Sequence, residues 1–262
     1  MSLTPFVQQF GEQQVVAFFL VLARLSPLFL LAPLFSSQMI PMRVRGVVAV
    51  ALAIGLSPVV GGGRAIDPDL VGLAGLVGKE LLVGSAFAFA LGALFAAISI
   101  AGTFLDTLIG FSYGAVVDPI TGTSAAVISQ LYALLGVLIF IAIGGDAWVI
   151  QGLAKTYEIV PLDGVPALGA MLTGVESAFA GIFSAAIQVA GPIVLALILT
   201  DAAFGIVSRV VPQLNVFSVG FPAKVVVGLV LMGVTLPFVA TWLGDELEAS
   251  VSTALKTLQV VN

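Results

Sequence analysis

The sequence predicts an all-α, membrane-associated protein built from about six long, broken hydrophobic helices. Composition is the first observation behind this prediction. Of the 262 residues, 60% are hydrophobic and 9% are charged, against a charged share of about 25% in soluble domains. The second observation is that the apolar runs are long and continuous, whereas strands of a membrane barrel alternate apolar with polar residues. A soluble fold could not bury so much apolar surface.

Six apolar stretches approach the roughly 20 residues that a helix needs to cross a hydrocarbon core about 30 Å thick. They cover residues 14–35, 46–60, 81–105, 123–145, 178–200 and 225–244. Polar or Gly/Pro-rich joints separate them at residues 36–45, 61–79, 106–122, 146–176 and 201–224. The first stretch contains Arg24 and follows a start without Lys or Arg. We therefore expect it to be retained in the mature protein, because a cleaved signal peptide has a basic start and an uncharged core.

The tail after Gly244 predicts a short amphipathic helix outside the hydrophobic layer. Its apolar residues recur at helical spacing, at Leu247, Val251, Leu255 and Leu258. Acidic residues occupy positions 245, 246 and 248. These positions would form the first turn of such a helix, where the helix dipole stabilises negative charge.

Several classes of chemistry are excluded by composition. Cysteine and histidine are both absent, so the chain has no disulfides, thiolate nucleophiles, imidazole bases or Cys/His metal sites. We expect no cofactor, no metal and no enzymatic activity. The net charge of -5 and the scattered Lys and Arg residues argue against nucleic acid as a partner, since phosphate binding needs clustered positive charge.

Charge placement does not follow the usual rule for membrane proteins. If six spans alternate, one face collects Arg64, Lys79, Lys155 and Lys256, and the other collects Arg43, Arg45, Arg209 and Lys224. Orientation normally follows an excess of Lys and Arg on the cytoplasmic side. The balance here leaves the orientation open.

Helix breakers and small residues indicate contacts with other protein. Prolines fall inside the apolar segments at positions 27, 33, 192 and 237. Each proline frees a carbonyl that lipid cannot satisfy, so the broken backbone must be covered by protein or water. A stripe of alanines at positions 86, 90, 93, 97 and 101 would let another helix approach closely.

Ionisable residues lie in or beside the apolar segments: Arg24, Lys79, Glu80, Asp106, Asp201 and Lys224. A charge at the centre of a bilayer is costly, so such groups usually face protein or a water-filled cavity. For Lys79, Glu80, Asp106 and Asp201 we expect helix ends that reach the interface. Arg24 stands in the middle of an apolar run and is expected to face protein or water.

Local motifs add a more specific signal. They are Ala23-Arg24-Leu25-Ser26-Pro27, Ile40-Pro41-Met42-Arg43-Val44-Arg45, the segment 106–119, Gly144-Gly145-Asp146, Tyr157-Glu158-Ile159-Val160-Pro161 and Leu199-Thr200-Asp201. The most specific is Val211-Pro212-Gln213-Leu214-Asn215-Val216-Phe217, followed by Gly220-Phe221-Pro222-Ala223-Lys224. From about Phe18 to Trp242, these motifs resemble the FliR family, the R subunits of the flagellar type III export gate, and their injectisome counterparts.

The resemblance implies a subunit that joins several copies of FliP and FliQ in a closed helical assembly in the flagellar basal body. Unfolded flagellar subunits pass through this gate across the bacterial inner membrane. FlhB and FlhA are implied as further partners, with unfolded export substrates and lipid. The family organisation implies a FliP-like helical part at residues 1–175, including the plug loop within 106–122. A FliQ-like helical hairpin with the amphipathic tail would follow at 176–262.

The family's pore plug corresponds here to Gly110, Phe111, Ser112, Tyr113, Gly114, Ala115, Val116, Val117, Asp118 and Pro119. Such a plug would use Phe111, Tyr113 and Val116 as apolar fillers, with Gly110 and Gly114 permitting tight turns. An apolar, flexible loop can seal a narrow channel by excluding water. The alternative is a connector whose aromatic residues pack on neighbouring helices, and the hydroxyl of Tyr113 departs from a fully apolar seal.

A second set of residues is predicted to contact other subunits: Arg24, Asp201, Arg209, Pro212, Gln213, Asn215 and Lys224. Polar side chains between tightly packed helices gain from hydrogen bonds across subunits. The alternative for the residues around Pro212 is a solvated turn.

Three other functions compete with a flagellar gate. The first is the equivalent subunit of a virulence injectisome, which these motifs do not separate from the flagellar one. The second is a solute transporter, which should show two related halves with matching interruptions, and no such pairing is found. The third is an aspartyl intramembrane protease, but Gly144-Gly145-Asp146 lacks the second carboxylate that acid/base catalysis requires.

Overall fold

The computed structural model describes residues 12–32, 35, 40–60, 70–111, 126–213 and 215–258, and no strand occurs in them. The helices are α1 (Glu12–Leu31), α2 (Met42–Val60), α3 (Leu70–Ile109), α4 (Val127–Ala142), α5 (Gly145–Ile159), α6 (Leu168–Val210) and α7 (Val216–Leu258). The all-α prediction is confirmed.

Five of these helices, α1, α2, α3, α6 and α7, are long and apolar enough to cross a membrane. Taken together, α4 and α5 are also long and apolar enough to cross a membrane, and their axes are bent by 72° relative to each other. The bend lies at Gly144, whose φ is 72°, in the left-handed region that glycine adopts at little cost. The described residues therefore provide five or six candidate spans, and the prediction of about six long hydrophobic helices is confirmed.

Several helices are longer than the apolar runs that predicted them. The helix α3 begins at Leu70, and α6 covers Leu168–Val210 as one helix of 43 residues. The predicted joints at 61–79 and 201–224 are therefore wrong over most of the part that the structure describes. Each residue added to an existing helix contributes a hydrogen bond, and an interior glycine costs only about 1 kcal/mol. Polar and glycine residues therefore extend these helices instead of ending them.

The predicted joint at 146–176 is also wrong, because it contains α5 and the start of α6. The helix α5 is amphipathic, with Val149, Leu153 and Tyr157 buried and with Lys155 and Glu158 exposed. Its charges lower the mean hydropathy of this segment, and the helical signal is in the spacing of its apolar residues.

The tail is helical, as predicted, but it does not begin a helix of its own. The helix α7 continues through it to Leu258, so its acidic residues do not occupy a first turn and gain nothing from a helix N-terminus. Leu247, Val251 and Leu258 are buried, and Leu255 is half-buried. The apolar stripe is confirmed, and most of it is buried within the chain.

Prolines and alanines follow the predicted pattern in part. Pro27, Pro192 and Pro237 lie inside α1, α6 and α7, whereas Pro33 lies outside the described residues. In the alanine stripe of α3, residues 93, 97 and 101 are buried and residues 86 and 90 are half-buried.

The chain divides into two compact units. The first contains the described residues of Met1–Ala93, Gly144–Phe179 and Leu247–Asn262. Its core includes Val83, Val160, Met171 and Leu258. Helices approach each other closely at glycine here, since a Cβ atom on Gly152 would lie 2.7 Å from Cγ1 of Val251.

The second unit contains the described residues of Leu94–Ile143 and Ala180–Glu246. The rings of Phe95 and Phe140 meet edge to face with centroids 5.3 Å apart. The helices α6 and α7 are joined by a hydrogen bond in which Nε1 of Trp242 donates to Oε1 of Gln188 at 3.1 Å. A polar link of this kind adds a directional contact to the packing of the two helices.

Candidate functional site

The carboxylate of Asp106 connects the end of α3 to the start of α4, on either side of the predicted plug loop. It accepts hydrogen bonds from the main-chain N–H of Ile128 at 2.9 Å and of Ser129 at 2.8 Å. The local N-cap residue Ala126 supplies no side-chain cap. Asp106 therefore caps α4 from another helix, satisfying N–H groups that a helix start leaves without partners. It is 2% exposed, which corrects the prediction of a residue reaching the interface.

The last turns of α3 are held by close contacts on two sides. A Cβ atom on Gly102 would lie 2.6 Å from Cα of Ser129, and a Cβ atom on Gly228 would lie 2.6 Å from Cδ1 of Ile109. Only glycine allows both approaches. The beginning of the predicted plug loop is therefore fixed to α4 and to α7.

Two of the ten predicted plug residues are described. Gly110 ends α3 with a φ of 108°, and its N–H donates to the carbonyl of Asp106 at 3.1 Å. The ring of Phe111 packs edge to face on Phe221, with centroids 5.8 Å apart. The other eight residues, 112–119, lie outside the described residues. The plug stays a prediction.

Replacing Asp106 with alanine is expected to lower the free energy of unfolding by about 1–2 kcal/mol, the usual cost of losing a helix N-cap. The Asp106→Asn variant retains one acceptor oxygen for the same N–H groups and should lose less. Thermal unfolding of the purified chain in mild detergent, followed by circular dichroism, measures both effects. Equal stability of the alanine variant and the wild type would contradict the capping role.

The structure brings together two of the predicted assembly contacts, Asp201 of α6 and Lys224 of α7. Nζ of Lys224 lies 2.9 Å from Oδ1 of Asp201 and 3.1 Å from Oδ2. The Asp201 side chain is 49% exposed. A surface ion pair contributes only about 0–1 kcal/mol to stability, so the fold alone gives little reason for this pair.

The remaining predicted contacts lie toward the turn between α6 and α7. Arg209 is in the last turn of α6, and Pro212, Gln213 and Asn215 follow it, all of them exposed. Oδ1 of Asn215 accepts a hydrogen bond from the N–H of Ser218 at 3.3 Å, which is the geometry of an N-cap on α7. Asn215 therefore has a structural role that its sequence context did not reveal.

Arg24 lies inside its own unit. Its side chain is fully buried. Its Nε donates to Oε2 of Glu80, its Nη1 to Oγ1 of Thr156 at 3.2 Å, and its Nη2 to the carbonyl of Val160 at 2.8 Å. The guanidinium also lies 4.1 Å from the ring centroid of Tyr157. A direct contact between Arg24 and another subunit is not compatible with this burial, so we reassign Arg24 to the interior.

Lys79 extends the Arg24 cluster. Its Nζ lies 2.9 Å from Oε1 of Glu80 and donates to the carbonyls of Pro161, Leu162 and Gly164 at 3.2, 2.6 and 3.1 Å. It thereby satisfies carbonyls in the segment after α5, where the helix dipole favours a positive charge. Lys79 and Glu80 were predicted at a helix end, but both lie within α3. That prediction is corrected.

Sequence reasoning missed the partners of Arg24. A buried guanidinium requires a carboxylate, and Glu80, Asp106 and Asp201 were the acidic residues beside apolar runs. None of these carboxylates was assigned to Arg24 from the sequence. Thr156 and Tyr157 were hidden in a segment predicted as a joint.

No group of three potential metal ligands occurs among the residues that the structure describes. The polar side chains collected here pair with one another and with main-chain groups. Within the described ranges, these contacts link neighbouring helices and cap a helix start.

Comparison with known proteins places the chain in a family. The family model for bacterial export proteins, family 1, matches residues 15–250. The flagellar biosynthetic protein FliR of Bacillus subtilis (strain 168) is 30% identical over 248 residues, which is 94% of this chain and 95% of that protein. FliR of Escherichia coli (strain K12) is 28% identical over 225 residues, 85% of each chain.

A relative with a different name is the surface presentation of antigens protein SpaR of Shigella flexneri, 26% identical over 206 residues and 78% of each chain. The family model covers well over half of the chain, and the match to the Bacillus protein extends over nearly its whole length. The chain therefore belongs to the bacterial export proteins, family 1, which is the family of the FliR proteins.

Proposed function

We propose that this chain is a structural and gating subunit of the flagellar type III protein export gate. In this role it helps to form and to seal the channel through which unfolded flagellar subunits cross the bacterial inner membrane. Family membership and several apolar helices support a membrane-embedded flagellar component. The observation that carries the proposal further is the length of the exposed apolar surface on α6.

The helix α6 is too long for lipid alone to cover. Its 43 residues extend about 64 Å at 1.5 Å per residue, whereas the hydrocarbon core is about 30 Å thick. Membrane helices tilt by up to about 40°, which would reduce the span of α6 only to about 49 Å. A large part of this helix therefore lies outside the hydrocarbon core.

Exposed apolar side chains nevertheless continue from one end of α6 to the other. They include Leu172, which is 71% exposed, Phe183, Leu199, Ile206 and Val210, which is 74% exposed. Apolar surface outside the bilayer is unfavourable in water, and large exposed patches of this kind mark protein interfaces. Contact with partner subunits would bury this exposed apolar surface of α6.

We propose that these partners are FliP-like and FliQ-like subunits, with FlhB, FlhA and unfolded export substrates as further contacts, in the inner membrane part of the flagellar basal body. Residues 1–175 would form the FliP-like part and residues 176–262 the FliQ-like hairpin. The assembly contacts proposed are Asp201, Arg209, Pro212, Gln213, Asn215 and Lys224. The plug proposed is Gly110 to Pro119, held at its base by Asp106. No catalytic step is proposed.

Co-purification tests the assembly directly. A tagged copy of the chain is expressed with the P-type and Q-type subunits of the same organism and extracted in mild detergent. The expected result is a single complex that contains all three subunits on size-exclusion chromatography and in native mass spectrometry. Isolation of the chain as a monomer, with its partners expressed but not retained, would overturn the proposal.

A charge exchange tests whether the Asp201–Lys224 pair serves assembly. The single variant Lys224→Asp should lower recovery of the complex at least tenfold, since like charges in a desolvated interface cost several kcal/mol and each 1.4 kcal/mol is a factor of about ten. The double variant Asp201→Lys/Lys224→Asp restores the pair within the chain. Low recovery of the double variant supports contacts with partners, because only the intramolecular pair is rebuilt. Full recovery would assign the pair to the fold of α6 and α7 alone.

The equivalent subunit of an injectisome is the second candidate, favoured by the similarity to SpaR of Shigella flexneri. The FliR proteins match more of this chain at somewhat higher identity. Complementation separates the two functions. The chain is expected to restore swimming motility in a strain of its source organism that lacks it, and restored effector secretion without motility would support the injectisome.

A further inference from the structure

A cleft with a volume of about 310 Å³ lies between α1 and α2 in the first unit. Its lining consists of Leu22, Ser26, Phe29, Leu30, Met42, Arg45, Gly46, Ala49 and Val50. All of these except Ser26 and Arg45 are apolar. The hydroxyl of Ser26 donates to the carbonyl of Leu22 at 2.6 Å, so its donor is used within α1. The walls of the cleft therefore suit a hydrocarbon chain.

Positive charge is concentrated at the start of α2. Arg45 lies in the first turn, and its Nε donates to the carbonyl of Ile40 at 3.0 Å, which holds the guanidinium in place. Arg43, in the same turn, is exposed. The N-terminus of α2 adds the positive end of a helix dipole. No carboxylate occurs among the residues that line the cleft, so this end of the cleft favours an anion.

The two helices that form the cleft have the length of the hydrocarbon core. With 20 and 19 residues, they extend about 30 Å, which matches a core about 30 Å thick. Only 11% of the apolar stretch of α2 is buried against the rest of the chain. The cleft is thus placed on helices that fit a bilayer, with Arg45 at the end of a helix, where lipid headgroups lie.

We propose that this cleft binds one anionic phospholipid, with its phosphate at Arg45 and Arg43 and an acyl chain along the apolar walls. Basic pockets between membrane helices are a recurring way to bind acidic lipid headgroups. An acidic, apolar segment of a partner subunit is the competing occupant. Lipid is favoured because both helices have the length of the hydrocarbon core, which places the apolar walls beside acyl chains and Arg45 at the level of the headgroups. This proposal does not depend on the export function.

Lipid retention by the full chain tests the charge requirement. The chain is reconstituted in nanodiscs with equal amounts of phosphatidylglycerol and phosphatidylcholine, transferred to mild detergent, and its retained lipids are measured by native mass spectrometry. We expect about one phosphatidylglycerol per chain. The Arg43→Gln/Arg45→Gln variant should lose affinity about 30-fold, since each arginine near a membrane surface contributes about fivefold. Equal retention of the two lipids by the wild type would overturn the proposal.

A matched pair of glycine variants tests the location. A Cβ atom added to Gly46 or to Gly55 meets no atom within 4 Å, so both Gly→Leu variants of α2 should fold. Gly46→Leu fills the cleft and should abolish retention of phosphatidylglycerol. Gly55→Leu lies on the same helix outside the cleft and should leave retention unchanged. The same retention by both variants, or a cross-link from position 46 to a partner subunit in the assembled complex, would overturn the proposal.

Discussion

Replacing Glu80 with leucine is expected to lower the free energy of unfolding by about 3–5 kcal/mol, the usual cost of breaking a buried ion pair from one side. The variant leaves the guanidinium of Arg24 buried without a carboxylate. It also leaves Lys79, whose Nζ lies 2.9 Å from Oε1 of Glu80, as a second positive charge beside Arg24. Two cations would then share a site that has no anion.

Replacing the other member of the pair, in the variant Arg24→Met, should lower the free energy of unfolding by less, because Lys79 remains to neutralise Glu80. The double variant Arg24→Met/Glu80→Leu should recover much of the lost stability, since an apolar pair of similar volume often replaces a buried ion pair without loss. Glu158→Leu is the control, because Glu158 is exposed on α5 and surface substitutions usually change stability by less than about 0.5 kcal/mol. Thermal unfolding in mild detergent, followed by tryptophan fluorescence, ranks the four variants.

A double variant as unstable as Glu80→Leu would contradict this interpretation. It would indicate that the hydrogen bonds from Arg24 to Thr156 and Val160 hold α1 in place, and not its pairing with Glu80. Wild-type stability of Glu80→Leu would show that the cluster is not held by charge at all.

The sequence predicted the helices that are apolar throughout. The runs at 81–105 and 178–200 lie inside α3 and α6, because twenty apolar residues in a row have few other stable arrangements in a membrane. Boundaries were less predictable. The segment 61–79 was predicted as a joint, yet α3 already begins at Leu70, because a long helix gains one hydrogen bond per added residue.

The helix α5 shows what hydropathy alone cannot find. Asp146, Lys155 and Glu158 lie on its exposed side, and the buried side faces the core through Val149 and Leu153. The helix can therefore be recognised from the periodic spacing of its apolar residues, whereas its mean hydropathy does not reveal it. Its end carries Thr156 and Tyr157, so missing α5 also meant missing half of the Arg24 cluster.

Prediction of the site required knowing which residues far apart in the chain contact each other, and a single sequence does not give this information. Asp106 and Ile128 are separated by 22 positions, and Arg24 and Val160 by 136. The residue types indicated that each charged side chain in an apolar segment needs a polar partner. Which residue serves as that partner depends on the tertiary structure. The pair Asp201–Lys224 joins two residues that the family motifs had already marked, because those motifs lie on either side of a single turn.

The second large effect is expected at Gly84, where α1 and α3 touch through their backbones. A Cβ atom at this position would overlap the main-chain carbonyl oxygen of Arg24 and would lie 2.9 Å from its carbonyl carbon. A backbone atom cannot rotate away as a side chain can, so α1 would have to move as a whole. Overpacking typically costs about 1–3 kcal/mol, and we expect Gly84→Val to reach about 3 kcal/mol.

The loss of stability at Gly84 should exceed the cost of a single steric contact, because the displaced carbonyl belongs to Arg24. Moving α1 away from α3 would also stretch the hydrogen bonds from Arg24 to Glu80 and Thr156. Gly84→Val and Arg24→Met should therefore be non-additive, with a coupling of about 0.5–3 kcal/mol, as found for residues in contact. The control is Gly78→Ala in the same helix, where an added Cβ meets no atom within 4 Å. That variant should be stabilised by up to about 1 kcal/mol through helix propensity, and a similar loss of stability in both variants would show that α1 and α3 do not meet at Gly84.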